Sequence, residues 1–203
     1  LYNYDMKQVV PDAELMGAFN ECPYDQGGYF VVNGSEKVMI AQEKQANNKV
    51  YVFHKKQNKY SIVAEIRSCL EGTGVRPTST LYVKMLARMS KETAGRPLYA
   101  TVPYVREDIP AIVVFRALGI EADREIMELI VYDLEDKAMC EELRPSLEEG
   151  SIYQDPTVAL DYLGTRGLTI GQKREERVRH ALDILQREFL PHISQAGSFQ
   201  TKK

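Results

Sequence analysis

Cysteine is scarce and scattered in this sequence: Cys22, Cys69 and Cys140 make an odd total, with no C-x-x-C pair. A disulfide-stapled framework is thereby disfavoured, and buried free thiols in a reducing compartment are expected. His54, His180 and His192 are equally dispersed, so nothing matches the ligand spacing of a structural zinc site. No uninterrupted apolar run approaches the roughly 20 residues of a membrane-spanning helix. The opening LYNYDMKQVV has neither the basic start nor the apolar centre of a secretory signal. It also lacks an initiator Met, which suggests a segment of a longer chain.

Motifs of small-molecule chemistry are missing as well. Gly164, Gly167 and Gly171 in GTRGLTIGQK fit neither the dinucleotide fingerprint nor the P-loop, and are expected in helix-to-helix turns. No Ser stands in G-x-S-x-G, and no Cys has a His beside it. Asp133, Glu135, Asp136 and the pair Glu148-Glu149 lack the D-x-D-x-D order of a two-metal site. They read as helix caps and a solvated acidic face, so no catalytic residue and no metal ligand is assigned. An autonomous enzyme would need Asp133, Asp136 and Glu149 to surround one pocket.

What is present is a chain of 203 residues, 44% hydrophobic and 27% charged, which suits one large globular domain or slightly more. Its net charge of −3 conceals a segregation. Residues 1–43 carry −5, residues 44–106 carry +9, residues 107–163 carry −11 and residues 164–203 carry +4. Such blocks suit one face for a polyanion and another for a different partner, unless folding brings them together to neutralise each other.

The pattern predicts an α+β fold, with antiparallel strands in the first half and helices packed in the second. Asn33-Gly34 tolerates the positive φ of a tight type I′ turn, which makes Tyr29–Val32 and Lys37–Gln42 the arms of a hairpin. KVYVFHKK and KYSIVAEIRS form a second hairpin, and LYVKMLARM and LYATVPYV are further strands, the last either ended by Pro103 or lying on an edge because of it. From Pro110 onward AIVVFRALG reads as a buried helix with Gly119 past its end. Apolar spacing continues the helices through residues 123–149, with Asp123 and Asp136 as caps, then through DPTVALDYLGTRG and residues 173–190. On the last helix Val178, Leu182, Leu185 and Phe189 share a stripe.

Several long stretches, in order, resemble the second-largest subunit of eukaryotic RNA polymerase II: CPYDQGGYFVVNGSEKVMIAQE, STLYVKMLAR, ATVPYVREDIPAIVVFRALGI, LRPSLEEG, ALDYLGTRG and ALDILQREFLPHI. Together they run from about Cys22 to Ile193. The resemblance implies that residues 1–43 end a protrusion domain, residues 44–191 form the lobe inserted into it, and residues 192–203 begin the returning protrusion. It implies a DNA-directed RNA polymerase, a nuclear nucleotidyltransferase whose Mg2+ is held by another subunit, with no cofactor in this segment. The partners it implies are the other polymerase subunits including the largest, template DNA and the DNA–RNA hybrid, and general transcription factors; no membrane is involved. The segment itself is expected to be a non-catalytic module flanking the cleft, with Lys37, Lys84, Arg88 and Arg96 facing nucleic-acid phosphate. The alternative is a protein-docking module that recruits transcription factors through the acidic helices of residues 123–149, with charge reversal at Glu141 and Glu142 as its test.

Overall fold

The computed structural model describes Gly17, Asn20, Cys22 and residues 24–70, 77–90, 95–167 and 173–193. It divides into two compact units, Leu1–Gln45 and Ala46–Lys203.

The first unit contains a two-stranded hairpin, β1 (Tyr29–Val32) and β2 (Ser35–Val38). Asn33 at φ 51° and Gly34 at φ 77° make the turn, as their tolerance of positive φ requires. A two-residue turn sets Val32 directly opposite Ser35, so the second strand begins earlier than Lys37 and ends at Val38 rather than Gln42. Before β1, Asp25 accepts hydrogen bonds from the Gly27 N–H at 3.0 Å and the Tyr29 hydroxyl at 2.7 Å.

The second unit is built on an antiparallel sheet of five strands in sequential order, β3 (Val50–His54), β4 (Tyr60–Ser68), β5 (Ser79–Leu86), β6 (Leu98–Thr101) and β7 (Ile109–Pro110). Val50 lies opposite Ile66 and His54 opposite Ile62, which fixes the second hairpin. The extra residue Ser61 is absorbed by an irregularity between Tyr60 and Ile62, where β4 meets β5. Pro103 lies beyond the end of β6, and Pro110 closes the short edge strand β7, where its missing N–H does least harm.

Among the described residues five helices follow: α1 (Ala111–Ala117), α2 (Asp123–Val131), α3 (Lys137–Gly150), α4 (Pro156–Gly167) and α5 (Arg174–Asp183). Helix α1 is the centre of the unit, because it is apolar nearly all round and only burial on several sides satisfies such a helix. Val113, Val114 and Ala117 join Ala100, Ile109, Leu160, Leu163 and Leu185 in the main core, whereas Ile112 joins Ile120 and Ile126 in a smaller one. Gly119 at φ 93° turns the chain out of α1.

Several local expectations are corrected. Of the two expected caps, Asp136 does cap α3, accepting from Ala138 N–H at 3.1 Å and Met139 N–H at 3.2 Å. Asp123 does not cap: it is the first helical residue of α2, and its carboxylate instead pairs with the buried Arg116 guanidinium. Gly164 and Gly167 lie inside α4 rather than in a turn. At Gly164 a Cβ would stand 2.3 Å from the Arg177 carbonyl oxygen, so glycine is what lets α5 approach α4 this closely. Gly171 and the polar tail after Ile193 lie outside the described residues. The last helix is α-helical only to Asp183; Ile184–Glu188 form one wide turn, closed by the Phe189 N–H donating to the Ile184 carbonyl at 2.9 Å. That turn keeps Leu185 and Phe189 in the core, while Val178 and Leu182 are half-buried against it. The cysteines are free as expected, yet none is buried: Cys22 is exposed, Cys69 and Cys140 half-buried.

Candidate nucleic-acid interface

The four cations singled out in the sequence meet different fates. Lys37 sits on β2 opposite Phe30, exposed and with no carboxylate partner among the described residues. Lys84, on β5, places its ammonium 2.9 Å from Asp108 and 5.2 Å from the Tyr60 ring centroid. Asp108 also accepts from the Thr101 hydroxyl at 2.6 Å and the Tyr60 hydroxyl at 2.5 Å. Burial pushes the Asp108 carboxyl up, but hydrogen bonds from Thr101, Tyr60 and Lys84 outweigh it and hold the group below the usual carboxylate range. Tyr60 moves the other way, its phenol raised by burial first and then by Asp108. Arg96 lies 3.3 Å from Glu142 of α3. Arg88 is exposed just beyond β5 and faces a concavity that it shares with Lys55 and Lys59.

Lys84 and Arg96 therefore each meet a carboxylate of the acidic block, through Asp108 and Glu142. Lys55, Lys56, Lys59 and Arg88 meet none among the described residues, so neutralisation between the +9 and −11 blocks is incomplete. Sequence reading passed over Lys55 and Lys59 because a lysine in a polar hairpin turn carries no motif. The signal that could have found them is the lysine cluster HKKQNK itself.

The acidic residues do not converge. Asp133 accepts from the Glu135 N–H at 2.9 Å, Asp136 caps α3, and Glu149 accepts from the Tyr99 hydroxyl at 2.5 Å. Among the described residues no three His, Cys, Asp or Glu side chains are placed to hold a metal ion. A Ser–His pair absent from the linear pattern does form: Ser68 Oγ lies 2.7 Å from His192 Nδ1. Ser68 is fully buried and its Oγ also accepts the His192 backbone N–H at 3.2 Å, so the pair fastens the chain after α5 to the sheet rather than facing a substrate. In the helical layer, Asp161 accepts from Arg177 at 2.6 Å, and that hydrogen bond lowers its carboxyl below the ordinary range.

An antiparallel sheet whose basic end meets no carboxylate among the described residues, backed by an acidic helical layer and lacking a convergent metal site among those residues, defines an α+β module built around surfaces. The chain belongs to the family described as RNA polymerase Rpb2, domain 2, whose model matches residues 46–203. It is 55% identical over 186 residues to DNA-directed RNA polymerase II subunit 2 of Arabidopsis thaliana, covering 90% of this chain and 16% of that protein. It is 52% identical over 195 residues to DNA-directed RNA polymerase II subunit RPB2 of Schizosaccharomyces pombe, covering 96% of this chain and 16% of that protein. With DNA-directed RNA polymerase subunit Rpo2 of Sulfolobus acidocaldarius the identity is 39% over 184 residues, covering 90% of this chain and 15% of that protein. The chain thus spans about a sixth of the length of these relatives.

Proposed function

We propose that this chain is part of the second-largest subunit of a nuclear, RNA polymerase II-type DNA-directed RNA polymerase, and that it guides nucleic acid without doing chemistry itself. In this reading residues 1–43 end the protrusion, residues 44–191 form the lobe and residues 192–203 lead back into the protrusion. The Mg2+ of the reaction is held by another subunit, and the partners are the remaining subunits, template DNA and the DNA–RNA hybrid. The observation that carries the reading is the pairing of family membership over residues 46–203 with cations at one end of the sheet that meet no carboxylate among the described residues. Lys37 and Arg88 are its exposed contacts; Lys84 and Arg96 support the fold through Asp108 and Glu142.

Titrating the chain with a labelled DNA duplex between about 50 and 200 mM salt tests this. Phosphate contacts release counterions, so the logarithm of affinity should fall linearly with the logarithm of salt, at similar strength for unrelated sequences. A flat salt dependence would contradict the reading.

A second reading, docking of a general transcription factor, is favoured by one observation. Around the acidic helices α2 and α3, Leu129, Tyr132, Leu134 and Met139 are exposed, apolar side chains beside carboxylates. Reversing Glu141 and Glu142 to lysine should abolish capture of such a factor while leaving duplex binding at least as strong; unchanged capture would remove this reading.

A further inference from the structure

The turn between β3 and β4 and the segment after β5 are tied to each other by the main chain. Lys55 N–H donates to the Ser61 carbonyl at 2.7 Å, closing the turn at its base, and Ala87 N–H donates to the Lys59 carbonyl at 2.9 Å. Within the turn Gln57 takes a φ of 58°, and Lys59 N–H donates to Asn58 Oδ1 at 2.7 Å. These bonds shape an open cup of about 800 Å3, in which Lys55, Lys59 and Arg88 share the lining with Asn58, Met89 and Ser90. Among the described residues the lining contains no carboxylate.

Three like charges around one concavity repel each other, and their summed field favours a multivalent anion over solvent. All three side chains are exposed, so the cup offers hydrated cations at a solvated surface rather than a cage that strips water from one small ion. Lys59 rests 5.1 Å from the Tyr60 ring centroid, which leaves its charge unneutralised. Resting on the nucleic-acid reading above, we propose that this cup contacts the sugar–phosphate backbone of a nucleic acid, with Lys55, Lys59 and Arg88 facing successive phosphates. Contacts to phosphate carry no sequence information, so the cup should bind unrelated sequences alike.

The test compares the chain with two variants, using a labelled duplex of about 25 base pairs and anisotropy across about 50 to 200 mM salt. Lys55→Gln/Lys59→Gln/Arg88→Gln should lower the steepness of the log–log salt plot by about 2 to 3, close to one per lost phosphate contact. Lys137→Gln/Arg179→Gln, which removes exposed cations from the helical layer, should leave it within about 0.5 of the parent. Circular dichroism melts confirm that each variant is folded. If the parent binds with a steep salt dependence that the triple variant retains, the cup is overturned while the nucleic-acid reading stands. If the parent shows no salt dependence, the nucleic-acid reading falls and the cup with it. A third arm adds orthophosphate at matched ionic strength. Displacement no greater than that by chloride supports a polymeric ligand, whereas displacement at about millimolar phosphate would overturn it in favour of a small-anion site.

Discussion

In the helical layer, Arg124, Arg144 and Arg177 lie 2.9, 3.4 and 2.6 Å from Glu128, Glu148 and Asp161, whereas Lys55, Lys59 and Arg88 at the β3–β5 end of the sheet meet no carboxylate among the described residues. The difference follows from geometry. A helix brings residues four apart onto one face, so Arg124 and Glu128, or Arg144 and Glu148, find each other within their own element. A tight turn does the opposite, collecting Lys55, Lys56 and Lys59 with no opposite charge in reach of the local sequence. Exposed ion pairs contribute only about 0 to 1 kcal/mol, so this pairing matters less for stability than for deciding which charge stays available to a ligand. The helical layer should accordingly govern folding, and the basic end of the sheet should govern binding.

The largest expected effect lies in the helical layer. Ile112 is fully buried between α1 and its neighbours, and Ile112→Ala should cost about 2 to 5 kcal/mol in urea unfolding through lost burial and the cavity left behind. Gly164→Ala should cost about 1 to 3 kcal/mol, since its Cβ meets the backbone of α5 and one helix must shift. A third effect depends on pH. Asp108 and Asp161 have carboxyls lowered in the fold, so the stability they contribute is present above about pH 4, near the unfolded carboxylate value, and is lost as pH falls through the lower folded values. Asp161→Asn should flatten the acid side of the stability profile measured by denaturation from pH 7 to pH 2; an unchanged acid limb would break the assignment. The smallest effect on stability belongs to the sheet end, where Lys55→Gln should stay within about 0.5 kcal/mol of the parent.

Much of the fold was legible from short-range chemistry. The Asn33-Gly34 turn, the β3–β4 hairpin and the burial of α1 after Pro110 all follow from φ tolerance, alternation and an apolar run with a glycine stop. Two of the misses were decided by contacts beyond the local pattern. Asp123 resembled a cap, but the buried guanidinium of Arg116, distant by two turns of chain, claimed its carboxylate. Gly164 resembled a helix end, yet the approach of α5 made it a packing residue. At the candidate interface the sequence supplied the right charge block and an incomplete choice within it. Whether Lys84 meets solvent or Asp108 depends on a loop twenty-four residues away coming back to β5, which no local pattern encodes.

Lys84→Gln and Lys55→Gln, measured side by side for melting temperature and for the salt dependence of duplex binding, set the two regions against each other most directly. Lys84→Gln should lower the melting temperature by several degrees, about the effect of 1 kcal/mol, with an unchanged salt slope. Lys55→Gln should leave the melting temperature unchanged and reduce the slope by about 1. The opposite pattern, a reduced slope with Lys84→Gln and an unaltered one with Lys55→Gln, would contradict the division between paired structural charge and free binding charge.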